Sequence, residues 1–236
     1  MNRIRRAFLS TLVAVVGVTS IGVTPSSAQT TEQYQIFVQR SYGDLLNRGA
    51  ESPAFETWVS ELEGGLPRTE YAFGLLRSGE FGEVLVDAFY NQYLERPADP
   101  GGLAGFGPLI DGGNSWEQVQ SLILGSDEFF AVASNDNETF VAGLYFLLLD
   151  RAPDKAGFTF WFDKLNEGWS RQMVAEAVAL SAEARSLLID NLYNSLLGRG
   201  VDGASLEVWI VTPYETVLIA IIASDEYFNL PVKLPT

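Results

Sequence analysis

Carboxylates are the side chains left for acid–base chemistry in this sequence. Its 236 residues include no histidine and no cysteine, which excludes serine–histidine relays, thiol nucleophiles and metal sites built from imidazole or thiolate. Two suitably spaced carboxyl groups could hydrolyse a glycosidic bond. With 30 acidic residues some pairs must lie close by chance, and helix caps and solvated faces explain most of them. We therefore expect no catalytic residue.

Two short segments place oxygen ligands near turns. They are Asp99-Pro100-Gly101-Gly102 and the stretch from Ser134 to Glu138. A weak calcium site could use such side chains, but neither segment has the ligand spacing of a helix-loop-helix calcium loop. Caps and turns are the preferred interpretation, and the sequence predicts neither a metal site nor a cofactor.

The most regular feature of the chain is a fourfold repeat, which we count from a tyrosine. The tyrosines are Tyr42, Tyr90, Tyr145 and Tyr193, and the arginines six residues later are Arg48, Arg96, Arg151 and Arg199. Acids follow at +9, namely Glu51, Asp99, Asp154 and Asp202. At +13 stand Phe55, Leu103, Phe158 and Leu206, and at +16 Trp58, Phe106, Trp161 and Trp209. Agreement at so many positions indicates a true internal repeat.

Each unit closes with a serine two residues before a glutamate, at Ser78, Ser126, Ser181 and Ser224. The predicted units span residues 34–82, 83–130, 138–185 and 186–230, and the fourth is five residues shorter than the others. The tyrosines are 48, 55 and 48 residues apart, so the seven extra residues lie in a polar insert at 131–137. We expect this insert to be a seam between two paired halves.

Apolar residues in each unit follow helical periodicity. They occupy −5, −4, −1, 0, +3 and +4, which in unit 3 are Phe140, Val141, Leu144, Tyr145, Leu148 and Leu149. Such a stripe predicts a first helix, which Pro97, Pro100 or Pro153 and nearby glycines should stop. The +13 and +16 residues predict a second helix, ending at Gly64-Gly65, Gly112-Gly113 or Gly168.

A third helix should begin at a cap in each unit. Ser115 with Gln118 forms a predicted capping box, and Thr212 with Glu215 forms another, with Pro213 as the first helical residue. The run from Thr216 to Ala223 would suit a strand by propensity, but the repeat register predicts a helix there. The sequence therefore predicts an all-α fold of tandem helical repeats, with four units of about three helices each.

The tryptophans could stack on sugar rings. Because Trp58, Trp161 and Trp209 share one register position, a core role is the better interpretation, and we predict that Trp209 is buried. Trp116 and Trp169 lie outside that register. They are the aromatic residues to test first for a ligand.

Residues 1–28 have the features of an export signal. Arg3, Arg5 and Arg6 precede an apolar stretch, and small residues up to Ala28 predict cleavage before Gln29. The segment Arg5–Leu9 resembles a twin-arginine signal, but general secretory signals also contain arginine, so both routes stay open. The mature chain is predicted to have no membrane span, and without cysteine it has neither disulfides nor a lipoprotein anchor.

The chain is strongly acidic. Its net charge is −15, and removal of the three signal arginines leaves 12 basic and 30 acidic residues, or −18. Such a surface repels phosphate backbones, so we expect no nucleic-acid partner.

At the repeated residues the chain resembles a bacterial family described as domain of unknown function 4214. The family's units read approximately Tyr, Leu-Leu-x-Arg, acid, Gly-Leu-x-x-Trp, Gly and Ser-x-Glu-Phe. The resemblance runs from about Ile36 to Phe228, and the chain is also distantly similar to the helical linker domain of phycobilisomes. It implies an all-helical fold in exported or surface proteins, without an established activity. The chain departs from the pattern at Gly49 and Ala50, at Ala184 and in its short fourth unit.

The arginine at +6 is the most informative charged residue. Arg48, Arg96, Arg151 and Arg199 are predicted to bind Glu80, Glu128, Glu183 and Glu226, or else nearby helix-end carbonyls, with their stems packed under the aromatic layer. The alternative is a cation that interacts only with a helix C-terminus.

Two functions are compatible with the sequence. The first is an exported interaction or structural module in the cell envelope, the periplasm or the medium, without enzymatic activity, whose partner is a protein or an envelope glycan. The alternative is a protein that binds envelope glycans, or cleaves them with carboxylates. A cleft with two carboxyl groups and an exposed aromatic floor would favour the alternative.

Overall fold

Helical periodicity determines the secondary structure of the chain. The computed structural model describes residues 29–112 and 115–231, and within these ranges it contains 14 helices and no strand. The prediction of an all-α fold is confirmed, including the helix over the isoleucine-rich run from Thr216 to Ala223. The predicted export signal at residues 1–28 lies outside the described residues.

The helices follow the register of the repeat. Unit 1 contains α1 (Thr31–Leu46), α2 (Ala54–Glu63) and α3 (Arg68–Leu76), and unit 2 contains α4 (Gly79–Leu94), α5 (Pro100–Asp111) and α6 (Trp116–Leu124). The short α7 (Asp127–Val132) precedes unit 3, which contains α8 (Asn137–Leu149), α9 (Lys155–Asn166) and α10 (Arg171–Ala179). Unit 4 contains α11 (Ala182–Leu197), α12 (Gly203–Trp209) and α13 (Tyr214–Ala223), followed by α14 (Asp225–Phe228).

The serine that closes each unit in the sequence opens the next helix. Ser78, Ser126, Ser181 and Ser224 are the N-caps of α4, α7, α11 and α14. In each case the serine hydroxyl accepts the backbone N–H three residues later at 3.1–3.2 Å, which satisfies a donor that the helix leaves unpaired. The predicted unit boundaries after residues 82 and 185 consequently fall inside α4 and α11.

The first helix of each unit ends in a left-handed residue at +5, one position before the arginine. These residues are Asn47, Glu95, Asp150 and Gly198, with φ between 49° and 69°. The prediction that prolines and later glycines stop this helix was therefore wrong in detail. A left-handed residue turns the chain directly after the helix. Only one of the four is glycine, so the residue types did not reveal these turns.

The ends of the other helices match the prediction except at the starts of α3 and α13, where a proline is the N-cap and no side chain caps the helix. Gly64 and Gly112 are C-caps of α2 and α5, and Gly168 follows α9 with φ 97°. Ser115 forms the predicted capping box with Gln118. At α13 the predicted box is absent: Pro213 is the N-cap and no side chain caps the helix, because Glu215 binds an arginine of unit 1 instead.

The polar insert breaks a helix and does not separate two halves. Ser134 and Asn135 adopt left-handed angles, and Asp136 caps α8 by accepting the N–H of Thr139 at 2.8 Å. In units 2 and 4 the equivalent helix, α4 or α11, runs unbroken from its serine cap. Across the insert α6 packs along α10, and α3 packs along α13, so unit 2 pairs with unit 3 and unit 1 with unit 4.

The first and third helices of the units carry most of the fully buried residues. In α13 the buried set is Val217, Leu218, Ile219, Ile221 and Ile222. Of the second helices, α9 and α12 are peripheral and bury no residue completely, whereas α2 buries Val59 and Leu62. None of the helices in the described ranges is long and apolar enough to cross a membrane.

Two arginines bind glutamates on third helices that belong to other units. Arg185 donates to Glu117 at 2.8 Å and to the backbone oxygen of Ile210 at 2.6 Å, and this ion pair is nearly buried. Arg77 donates to Glu215 at 2.8 Å and to the backbone oxygen of Ile110 at 2.9 Å. Removing one partner of such a pair leaves a desolvated charge, so these contacts fix how the units meet.

Gly125 should be essential to the pairing of α6 with α10. A Cβ at this position would lie 2.5 Å from the Cα and 2.6 Å from the backbone nitrogen of Gln172, which side-chain rotation cannot relieve. We expect Gly125→Ala to lower the free energy of unfolding by about 1–3 kcal/mol through overpacking. Urea denaturation monitored by circular dichroism measures this change.

Gly105 provides the matched control. It lies within α5, and a Cβ there would meet no atom within 4 Å. Gly105→Ala should leave stability unchanged or raise it by about 0.5–1 kcal/mol, because alanine is the better helix former. Equal stability of the two variants would show that the close approach of α6 and α10 is not required.

Candidate functional site

Each repeated arginine binds the predicted glutamate. Nε and Nη2 of Arg48, Arg96, Arg151 and Arg199 donate to the two carboxylate oxygens of Glu80, Glu128, Glu183 and Glu226. The Nη2–Oε2 distances are 2.7–2.9 Å in all four pairs, a bidentate geometry specific to arginine. In each pair Nη1 also donates to the backbone oxygen of the residue after the arginine, so both predicted kinds of partner are present.

The guanidinium groups lie on the faces of the tyrosines that define the units. The distance from the arginine Cζ to the tyrosine ring centroid is 4.9–5.2 Å in the four units. The prediction of buried stems beneath the aromatic layer was wrong, since the arginine side chains are 34–41% exposed. The left-handed residue at +5 turns the chain so that the arginine covers the outer face of the ring.

Charge and hydrogen bonding shift the pKa values of both partners. Hydrogen bonds from arginine hold the pKa values of Glu80, Glu128, Glu183 and Glu226 below the usual range of glutamate. Conversely, the carboxylate raises the pKa of each arginine. These glutamates therefore remain ionised and bound at neutral pH, and none has the raised pKa of a general acid.

The tryptophan at +16 donates to the hydroxyl of the unit tyrosine. The distance is 3.2 Å from Trp58 to Tyr42 and 2.7 Å from Trp209 to Tyr193. Trp209 is half-buried against the core, so the prediction of full burial was wrong. Its helix lies at the periphery, and only the ring face and the indole N–H reach inward.

A further repeated contact was missed by sequence reasoning. The side chain at −3 accepts the backbone N–H at +8, where the chain turns towards the second helix. The pairs are Gln39 with Ala50, Asp87 with Ala98 and Asp190 with Val201, at 2.8–2.9 Å. A polar residue at −3 in three of the four units was the available signal, and unit 3 has Ala142 there.

The acids at +9 are mostly helix caps. Asp99, Asp154 and Asp202 each accept backbone N–H groups at the start of the second helix of their unit. Asp136 caps α8 in the same way. Both segments considered for calcium thus use their carboxylates as caps, and the described residues contain no cluster of three or more metal-ligating side chains.

The two tryptophans outside the register differ in their surroundings. Trp116 is 5% exposed and packs between Phe81 and Tyr214, so the structure removes it as a ligand candidate. Trp169 is half-buried and lines a cleft of about 450 Å³ near Arg171, and Lys164 Nζ lies 5.5 Å from its ring centroid. No carboxylate is among the residues that line this cleft.

Helix α9 carries four aromatic side chains, of which Phe158 and Trp161 pack against the core and Phe160 is exposed. Phe158 and Phe162 stack with centroids 5.9 Å apart, and Phe160 meets Trp161 edge to face at 4.7 Å. Phe160 is 51% exposed, and Lys164 Nζ lies 5.6 Å from the centroid of its ring. We call Phe158, Phe160, Trp161, Phe162 and Lys164 the α9 surface.

The repeat shows that two of these aromatic residues are dispensable for the architecture. The positions equivalent to Phe160 are occupied by Thr57, Gly105 and Val208, and those equivalent to Phe162 by Val59, Gly107 and Ile210. In contrast, the residues at +13 and +16 are large and apolar in every unit. The α9 surface therefore adds aromatic area to a helix that folds without it elsewhere in the chain.

Comparison with known proteins identifies the family of the chain but not its activity. The sequence model of a domain of unknown function, DUF4214, matches residues 25–85 and 119–188, more than half of the 236 residues. The chain belongs to the DUF4214 family. The first match covers α1 to α3, and the second runs from within α6 to the start of α11. No curated protein and no solved structure matches the chain.

Both matched segments of the DUF4214 chain include a complete tyrosine, arginine and glutamate set. Arg48 with Glu80 lies in the first segment, and Arg151 with Glu183 lies in the second. The α9 surface lies in the second segment, whereas its Phe160 is specific to unit 3 among the four units. Arg96 and Arg199 lie outside both matched segments, so the match covers two of the four repeated pairs.

The arginine–glutamate pair should stabilise this DUF4214 protein through its bidentate geometry. We expect Arg96→Gln and Glu128→Gln each to lower the melting temperature, and the double variant to lose less than the sum, because the two residues share one interaction. The pair is half-exposed, so the changes should be smaller than those of a buried ion pair. Thermal denaturation of the four proteins measures the coupling.

The pH dependence of the stabilisation by Arg96 and Glu128 is a separate test of the pair. Because the pKa of Glu128 is lowered in the folded protein, the pair stabilises the fold above the ordinary glutamate pKa of about 4.3 and ceases to do so as pH falls through the lowered value. The difference between wild type and Glu128→Gln should disappear in that acidic range. Glu83→Gln, at an exposed position of α4, is the control, and an equal effect there would contradict the proposed pairing.

Proposed function

We propose that this protein is an exported, non-enzymatic interaction module that acts in the cell envelope or outside the cell and binds a partner protein through the α9 surface. The observation that carries the proposal is the half-exposed Phe160, whose ring meets Trp161 edge to face at 4.7 Å and lies against Lys164, on a helix with no buried residue. Aromatic residues that are exposed together on a rigid element are typical of binding hot spots.

Charge also distinguishes this helix from the rest of the chain. Within the described ranges the two lysines, Lys155 and Lys164, both lie in α9, although the whole chain has a net charge of −15. Lys164 lies against the rings of Phe160 and Trp169 and pairs with Glu167 at 2.6 Å, whereas Lys155 is exposed at the start of the helix. A protein partner that offers apolar side chains with a few carboxylates would complement this combination of aromatic and cationic groups.

The repeated polar groups support a structural role better than a catalytic one. The glutamates bind arginine, and the aspartates at +9 in units 2 to 4 cap helices, so these carboxylates already have partners. A glycosidase needs one carboxyl group with a raised pKa beside another. Neither described cleft offers two such groups, because the larger one contains only Asp44, which accepts the Tyr227 hydroxyl at 2.6 Å.

The alternative is glycan binding by Trp169 together with the α9 surface, which share Lys164. Trp169 lies beside Lys164 and lines a cleft, an arrangement that suits a sugar ring as well as a peptide side chain. Exposed aromatics without a paired carboxyl group favour binding over cleavage. The α9 surface is common to both hypotheses, so one set of variants tests both.

A single substitution in α9 should abolish partner binding. Phe160→Thr introduces the residue that unit 1 has at this position, and we expect it to weaken binding at least ten-fold, because it removes the exposed ring and leaves the fold intact. A partner captured from envelope or secreted fractions would be identified, purified and titrated against wild type and variant by isothermal calorimetry.

Phe73→Thr is a closely matched control. Phe73 is also 51% exposed, and the guanidinium of Arg77 lies 5.6 Å from its ring centroid, as Lys164 Nζ does from Phe160. This variant should bind like wild type. Equal binding by both variants would contradict the proposal, whereas loss of purified envelope-glycan binding in Phe160→Thr alone would establish the alternative.

Export makes an independent prediction about the amino terminus. If residues 1–28 direct export, the protein recovered outside the cytoplasm of a bacterial host should begin at Gln29. Intact-mass spectrometry of that fraction measures this, with whole-cell protein as the reference. Recovery with Met1 to Ala28 still attached, or only in the cytoplasm, would contradict the proposed location.

A further inference from the structure

A second cavity lies away from the α9 surface, where unit 4 meets unit 1. This cleft of about 660 Å³ is bounded by α1, the end of α11 and the residues that follow α14. Its apolar lining is Ile36, Phe55, Leu196, Leu197, Leu230 and Pro231. The volume lies within the roughly 300–1,000 Å³ range of small-molecule sites.

Three of the four polar side chains in the cleft walls have partners within the chain, and the fourth, Gln35, is exposed. Gln39 exchanges two hydrogen bonds of 2.9 Å with the backbone of Ala50. Arg40 donates to the backbone oxygens of Tyr227 at 2.7 Å and Leu230 at 2.5 Å, and Asp44 accepts the Tyr227 hydroxyl at 2.6 Å. These bonds leave the walls without a spare charged group, since Arg40 and Asp44 balance each other.

These features indicate the chemistry of the occupant. A peptide would bring backbone N–H and C=O groups that the bonded walls cannot satisfy, at a cost for each buried group. An anion would face a chain with a net charge of −15 and an arginine that is already bonded. An apolar molecule without charge brings no polar group that the walls would leave unsatisfied, and it gains from the burial of its surface.

We propose that the cleft between α1 and α11 is a binding site for a small, uncharged, apolar ligand, such as an aliphatic chain or an aromatic ring system. The bonds of Arg40 to the segment after α14 hold one wall of the cleft in place. This site is distinct from the α9 surface, and it does not depend on the proposed interaction function.

Gly43 offers a way to close the cleft without damage to the fold. It lies in α1 and lines the cleft, and a Cβ added to it meets no atom within 4 Å. Unit 3 has Phe146 at the same register position, so the first helix of a unit accepts phenylalanine there. Gly43→Phe places a ring at the cleft wall and replaces the poorest helix former after proline.

The test uses N-phenyl-1-naphthylamine, a neutral apolar fluorophore. We expect saturable binding with one site per wild-type chain, and at least ten-fold weaker binding by Gly43→Phe. Gly105→Phe is the matched control, because it makes the same change at an open helical position on α5 and should bind the probe like wild type. Melting temperatures establish that both variants are folded.

Two further measurements separate the alternatives. 1-Dodecanol should displace the probe more effectively than dodecanoate, and the reverse order would overturn the assignment to uncharged ligands. Sedimentation should give the same oligomeric state for wild type and Gly43→Phe, whereas a dimer that this substitution dissociates would show that a second copy occupies the cleft. Absence of saturable probe binding to wild type, or equal binding by Gly43→Phe, would overturn the proposal.

Discussion

In every unit an arginine covers the ring of the tyrosine six residues before it and holds, with two hydrogen bonds, the glutamate just after the next serine cap. This contact joins the end of the first helix to the start of the helix that follows the third. It therefore fixes where the chain enters the next helix, even in unit 4, where the two residues are 27 instead of 32 positions apart. Its energy per pair is modest because the groups are half-exposed, but its geometry is specific and it recurs four times.

The repeat also serves as an internal reference for function. A residue type that all four units share is required by the fold, as with the tyrosine, arginine and glutamate. A residue that one unit carries alone at a shared position needs another explanation. Phe160 on α9 is such a residue. Gly43 is another position at which the units differ, because it leaves open space where unit 3 has Phe146. The proposed sites thus lie where the units differ and not in the contacts that they have in common.

The first and last units of the repeat pack against each other. Helix α3 packs along α13 and α6 along α10, so the first unit meets the last as the second meets the third. Arg77 and Arg185 bind glutamates at the second residue of α13 and α6, and these contacts order the inner helices. The apolar cleft lies at the junction of units 1 and 4, where the segment after α14 is held by Arg40.

The sequence by itself determined the helical class, and it predicted four units and four arginine–glutamate pairs, because these depend on periodicity and on residue types at fixed spacing. It did not reveal the left-handed residues at +5, since Asn47, Glu95 and Asp150 adopt that conformation only when the surrounding contacts hold them there. The burial of Trp116, the exposure of the arginines and the pairing of unit 2 with unit 3 were likewise decided by the tertiary structure. Each depends on which helix faces lie against one another, and apolar spacing within one helix does not specify its neighbour.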